Sequence, residues 1–219
     1  MKIDLPAWLE RLLWMRKRHA LVGRSDLWRM KRAFQLNFLR QQGLQRDQSV
    51  LDIGCGSLRG GAALIDYLDA GGYVGVDVRE SVIAQARREL ARERLTHKQP
   101  HLVCVPRLND LALDRYFDFV WAFSVLFHLS DAILPTCFAV VAQHLSPGGM
   151  FYANVILGEG PPGEWQGFPV VPRSLARYAD IASTAGLQMR VIGRLIELGH
   201  HSGLQSQDEQ TMLAFSRQG

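Results

Sequence analysis

Val50-Leu51-Asp52-Ile53-Gly54-Cys55-Gly56-Ser57-Leu58-Arg59-Gly60-Gly61 is the stretch that decides the fold. Its first four residues read as a buried strand. Two glycines one residue apart break that strand, and Ala63, Leu64, Tyr67 and Leu68 behind them have the spacing of an amphipathic helix. Strand, glycine turn and helix together bring bare backbone and a helix N-terminus against a ligand. About twenty residues further on, Tyr73-Val74-Gly75-Val76 reads as a second strand closing on Asp77. An acid there is where a doubly wound fold grips the hydroxyls of a ribose.

The glycine spacing separates one ribose-bearing ligand from another. A dinucleotide fingerprint requires a third glycine where this chain has Arg59. The sequence Asp52-Ile53-Gly54-Cys55-Gly56 instead resembles motif I (D-x-G-x-G) of the class I S-adenosylmethionine-dependent methyltransferases. One departure is Leu58, at a position where that family often has another glycine. The resemblance covers about residues 46–216. It implies a doubly wound α/β fold with a seven-stranded, mostly parallel sheet whose last strand runs antiparallel. It also implies S-adenosylmethionine as cofactor, held by Asp52, Gly54, Cys55 and Gly56 on the amino-acid side and by Asp77 and Val78 at the ribose.

The run Tyr116 to Leu129 carries the resemblance further. Phe117-Asp118-Phe119-Val120 matches the family's F-D-x-V strand, and Val125-Leu126-Phe127-His128-Leu129 matches its V-L-x-H-L turn. That places Phe123 and Ser124 at the sheet's switch point beside the methionine moiety, with Asp118 in a structural role. His128 faces the same crevice. A neutral imidazole there takes a proton from a substrate hydroxyl during methyl transfer; the alternative is a histidine that only holds its loop. Asn109 and Asp110, after the third strand, are positioned to read an adenine amino group or to form a plain Asx turn.

Length and composition set outer bounds. A chain of 219 residues suits one domain with a short appendage, and 47% hydrophobic with 21% charged residues describes an ordinary folded protein. Cys55, Cys104 and Cys137 are odd in number and widely spaced, which points to a reducing, cytoplasmic setting, and no Cys/His spacing suggests a metal site. The start of the chain is charged at Lys2, Asp4, Glu10 and Arg11 and has no secretory core. Residues 1–46 hold eleven Lys/Arg against three acids, a balance of +8; the other fourteen bases and eighteen acids balance to −4.

The basic character therefore belongs to an N-terminal helical arm, residues 1–45, ahead of a cofactor-binding domain over 46–219. Leu5, Trp8, Leu9, Leu12 and Leu13 give residues 1–20 one apolar helical face, suited either to packing on the domain or to peripheral contact with an anionic membrane. A second helix over Asp26–Gln42 offers Trp28, Arg32 and Gln35 to the site, or keeps a solvated basic face.

Along the rest of the chain, Ser81 is expected to cap a helix running to about Leu95. Ser146-Pro147-Gly148-Gly149 reads as a tight turn before a strand over Met150–Ile156. Gly158–Pro172, rich in Gly and Pro, reads as a loop that shapes an acceptor pocket, with Trp165 and Phe168 stacking on a sugar or aromatic group or closing an apolar edge. His200 falls in an exposed loop before the last strand and is a weaker substrate-contact candidate.

The resemblance implies transfer of a methyl group to an oxygen or nitrogen of a small-molecule or saccharide-like acceptor. Three other readings stand beside it. A nicotinamide-dependent reductase lacks support from Arg59 and from the absence of a Tyr-x-x-x-Lys pair. A non-catalytic cofactor-binding partner subunit is compatible with motif I. A nucleic-acid methyltransferase fits the basic arm but finds no Asn/Asp-Pro-Pro-Tyr/Phe motif.

Overall fold

The computed structural model describes residue 24 and residues 26–218; the expected helix over residues 1–20 lies outside the described residues. In chain order the elements are α1 (Trp28–Gln41), β1 (Val50–Ile53), α2 (Gly61–Tyr67), β2 (Tyr73–Asp77), α3 (Glu80–Arg92), β3 (His101–Cys104), β4 (Phe117–Ala122), α4 (Leu134–His144) and β5 (Leu145–Val155). There follow β6 (Gly163–Trp165), β7 (Phe168–Val170), α5 (Leu175–Thr184), β8 (Leu187–Arg194), the short α6 (Gln205–Asp208) and β9 (Thr211–Arg217).

Seven strands form one sheet in the order β3-β2-β1-β4-β5-β9-β8, with β9 antiparallel to both neighbours and the β3 to β5 pairings all parallel. This is the expected doubly wound sheet with a reversed last strand. The strand order turns back between β1 and β4, and the switch point of such a sheet opens a crevice at the strands' carboxyl ends.

β1 is buried along its whole length, as a central parallel strand must be. Its alternation sends Val50 to one core and Leu51 and Ile53 to the other. Phe34 and Phe38 of α1, Leu64 of α2 and Ile83 of α3 fill the first core; Phe138 of α4 and Tyr178 of α5 fill the second. The arm helix α1 is thus part of the packed structure, with Trp28, Phe34, Phe38 and Leu39 buried.

Several local expectations change. Ser81 lies inside α3: the helix begins one residue earlier, at Glu80, its N-cap is Arg79, and no side chain caps it. Instead Asp77 Oδ1 accepts the Arg79 backbone N–H at 3.0 Å, so the end of β2 restrains the helix entry. Ser146-Pro147-Gly148-Gly149 is not a separate turn but a bulge within β5, where Phe117 pairs with Leu145 and Phe119 already pairs with Met150. Gly158–Pro172 is not featureless. It contains the β6–β7 hairpin, closed by Gln166 and Gly167 with φ of +50° and +81°. Two consecutive positive φ values are the mark of a tight hairpin turn whose twist matches its strands.

Candidate active site

Two connected chambers open at the switch point. The larger, about 500 Å³, runs from Gly54, Cys55 and Gly56 past Phe123, Ser124 and His128 to Lys31 and Arg59. The smaller, about 130 Å³, is mainly apolar and lies between Asp77, Val78, Val105, Leu108 and Phe168. Gly54, Arg79, Ser124, His128 and Trp165 line both.

The glycine loop is shaped by close approach. Gly54 has φ +70°, and a Cβ there would meet Val125 Cγ2 at 2.5 Å, so no other residue fits without moving the 125–128 turn. Gly56 also has positive φ, and its backbone N–H donates to Asp77 Oδ2 at 3.2 Å. Asp77 is 7% exposed and accepts as well from Arg79 Nε at 3.3 Å. One carboxylate thus ties the first and second βα turns together at the rim of the small chamber.

Leu58, the departure from motif I, adopts φ +63°, the left-handed conformation that glycine prefers. Its side chain is fully buried in the α1-side core. Burial holds the strained backbone in place, which explains how the chain does without that glycine.

Asp52 is buried, and Tyr73 OH donates to its Oδ2 at 2.6 Å. Burial pushes its carboxyl up to about 7, with the neighbouring Asp77 adding to the rise against the opposing Tyr73 hydrogen bond. Burial likewise holds the Cys55 thiol well above its ordinary range, so Cys55 is a small neutral wall residue.

His128 is fixed on three sides. Its Nδ1 lies 2.8 Å from the Pro169 carbonyl oxygen of β7, its ring is 5.4 Å from that of Trp165, and its backbone N–H donates to Val125 O at 2.8 Å. A carbonyl only accepts, so Nδ1 carries the proton and Nε2 keeps a lone pair in the neutral ring. Burial, and secondarily the Arg79 charge, lower the His128 pKa below its usual value, against the pull of Pro169.

Arg173, which sequence reasoning passed over, pins this turn from beneath. Its buried guanidinium donates to Leu126 O (3.4 Å), Leu129 O (2.6 Å) and Asp131 Oδ1 (2.8 Å). Asn154 was also missed. Its Oδ1 accepts the Ser124 backbone N–H at 2.6 Å and its Nδ2 donates to Gln210 Oε1 at 2.6 Å. Ser124 itself has φ +61°, so the switch-point backbone is held in an uncommon conformation by a fully buried amide. Neither residue belongs to a short motif; only a buried polar side chain at the end of a strand and at the end of the hairpin segment pointed to them.

The remaining candidates divide. Trp165 and Phe168 line the crevice, the latter with Arg79 stacked 5.2 Å over its ring. Asn109 and Asp110 are exposed and line neither chamber; Asp110 is engaged by Arg107 at 3.0 Å. Among the arm residues, Arg32 turns to Glu93 at 3.6 Å and Trp28 is buried away from the crevice. Lys31 and Gln35 of the same helix are the ones that line it. Gln35 Oε1 accepts from Trp121 Nε1 at 2.9 Å and presses on Gly60, whose missing Cβ would meet it at 2.2 Å. His200 is not exposed as expected: it is 1% accessible, because Asp208 Oδ1 holds its Nδ1 at 2.8 Å and its ring stands edge-on to Phe34.

Among the described residues no group of three or more His, Cys, Asp or Glu is arranged to hold a metal ion, and no helix is long and apolar enough to cross a membrane.

Residues 51–151, from β1 through β4 into β5, match the family model described as a methyltransferase domain. Over these residues the chain is similar to a methyltransferase domain. A sterol 24-C-methyltransferase of Aspergillus fumigatus is 31% identical over 111 residues, which cover 51% of this chain and 28% of that relative; the chain thus matches little more than a quarter of the relative's length. Among solved structures, an S-adenosylmethionine-dependent methyltransferase from Clostridium acetobutylicum superposes with a TM-score of 0.66 at 12% identity, over 98% of this chain and 100% of that one. The glycopeptide N-methyltransferase MtfA complexed with S-adenosylmethionine gives 0.65 at 16% identity, over 84% and 87%. At such identities these two likenesses establish the fold alone.

Proposed function

We propose that this protein transfers the methyl group of S-adenosylmethionine to an oxygen or nitrogen of a small-molecule or saccharide-like acceptor, in a reducing, cytoplasmic compartment. The observation that carries the reading is the two-chambered crevice, with bare glycine backbone at its centre, a carboxylate at its rim and an oriented imidazole on its wall.

The residues suit the cofactor. The apolar slot beside Val78, Val105 and Leu108 has the character an adenine ring requires. Asp77 stands at its edge for the ribose hydroxyls, and the bare backbone of Gly54 and Gly56 lines the larger chamber, which suits the amino-acid side. Bound there, S-adenosylmethionine supplies a methyl carbon that leaves its sulfonium for an acceptor lone pair, the S–C electron pair remaining on a neutral thioether.

The chain's own task is alignment and proton handling. Phe123, Phe127 and Trp165 exclude water around the acceptor. His128 Nε2 accepts the proton of an acceptor hydroxyl, while Pro169 and Arg173 keep the ring aimed. An amine acceptor that enters uncharged needs less of His128. Incubating the protein with methyl-labelled S-adenosylmethionine and a panel of hydroxylated and amino acceptors tests the reading. Label on an acceptor supports it. Cofactor binding with no transfer to any class would favour the non-catalytic alternative.

A further inference from the structure

Helix α1 carries a buried cation into the crevice. Lys31 is 7% exposed and lines the large chamber together with Asp52, Gly54, Cys55 and Gly56. The helix is held at the rotation that puts it there. One turn on, Gln35 donates from Nε2 to the Lys31 carbonyl at 3.2 Å and accepts from Trp121 Nε1 at 2.9 Å, so β4 grips the helix through a buried amide. Gly60 makes room for that amide, since a Cβ there would collide with Gln35 Oε1. Phe34 adds a ring contact to Phe123, with centroids 5.6 Å apart.

Among the described residues the Lys31 ammonium makes no hydrogen bond or ion pair. Asp208, whose charge favours that ammonium, is already engaged. It accepts from His200 Nδ1, from Ser202 N and Oγ at 2.9 and 2.8 Å, and from Gly203 N at 3.0 Å. The other cations of the chamber are not free: Arg24 pairs with Asp26, Arg79 pairs with Asp77, and Arg59 is not without a partner of its own. Burial, and then the charge of Arg59, bring Lys31 down to about 7 against the pull of Asp208. A cation in that position is stabilised by an anion that enters beside it. S-adenosylmethionine has one anionic group, the carboxylate of its amino-acid end, and the glycine backbone suited to that end lines the same chamber.

We infer that Lys31 receives the carboxylate of the cofactor, which makes the arm helix α1 one wall of the cofactor site. This rests on the methyltransferase reading and adds to it a binding residue from outside the glycine loop.

Calorimetric titration with two nucleosides tests it. S-adenosylhomocysteine carries the carboxylate; methylthioadenosine keeps the adenine, ribose and sulfur but lacks the amino-acid end. Lys31→Met should weaken S-adenosylhomocysteine by about tenfold or more and leave methylthioadenosine within about twofold. Lys31→Arg, which keeps a cation, should bind both about as the wild type does. If the methionine variant fails to fold, Lys31→Gln takes its place with the same expectation. Unchanged S-adenosylhomocysteine affinity in the neutral variant overturns the inference. So does equal weakening of both nucleosides, or a loss as large in Lys31→Arg as in the neutral variant; either would make Lys31 a support of its helix and not a contact to the carboxylate. A wild type that binds neither nucleoside contradicts the methyltransferase reading instead.

Discussion

The Nδ1 atom of His128 and the carbonyl oxygen of Pro169 are 2.8 Å apart across 41 residues of chain. Through this contact the hairpin that closes the crevice also sets the tautomer of its histidine. In the proposed reaction the Pro169 contact, made while β7 is docked, favours a neutral imidazole with a free Nε2 and so would couple closure over the acceptor to proton removal.

Replacing His128 tests that coupling. His128→Ala should lower turnover of a hydroxyl acceptor by about a hundredfold or more with little change in S-adenosylhomocysteine affinity. His128→Asn keeps a donor near Pro169 but has no base, so it should be as inactive as the alanine variant; recovery by Asn would make the residue purely structural. The wild-type rate should fall on the acid side. Because burial lowers the His128 pKa from 6.5, the neutral form dominates at pH 7 and the acid limb lies below 6.5.

Arg173→Met should loosen the 126–129 turn without touching either ligand. The carbonyls of Leu126 and Leu129 lose their buried donor, at a cost of roughly 1–3 kcal/mol of stability. Arg173 is a positioning residue, so turnover should drop while S-adenosylhomocysteine binding, read by calorimetry, holds.

Leu58 offers an inverted comparison. Gly is normally the more destabilising of two truncations, but at φ +63° alanine keeps the left-handed strain, worth about 1–2 kcal/mol, and glycine releases it. Both variants lose roughly 2–5 kcal/mol of buried leucine packing. Denaturant midpoints should therefore place Leu58→Gly at or above Leu58→Ala; the ordinary order would contradict the strained backbone.

Asp52 sets a pH dependence. Its folded pKa, about 7, lies above the unfolded value of 3.8, so the unfolded chain binds fewer protons between these limits. Its contribution is present below the unfolded value and drains away by about 1.4 kcal/mol per pH unit, until it is lost as pH rises through the folded pKa. Asp52→Asn should flatten this slope, and its melting temperature should exceed the wild type's most above pH 7.

Much of this arrangement was legible in the chain because it rests on local chemistry. The glycines 54 and 56, the acid closing β2 and the histidine after β4 each need a residue type at a fixed spacing, and that spacing survives folding. Contacts made across the chain were not legible. Helix periodicity placed α1 but not its rotation, so Trp28 and Arg32 stood in for Lys31, which actually lines the crevice. His200 was assigned to solvent because loops are polar, whereas Asp208 eight residues on pulls it into the core. The β6–β7 hairpin escaped notice because Gln166-Gly167 lacks the Asn or Asp that usually announces such a turn.

The most direct measurement is a crystal structure with S-adenosylhomocysteine, supported by titration of wild type and Asp77→Ala. Density is expected with the amino-acid moiety against Gly54 and Gly56, the ribose on Asp77 and the adenine beside Val78 and Leu108, and the variant should bind at least about tenfold more weakly. An empty crevice, a pyrophosphate-bearing ligand in its place, or unchanged affinity in Asp77→Ala would contradict the account.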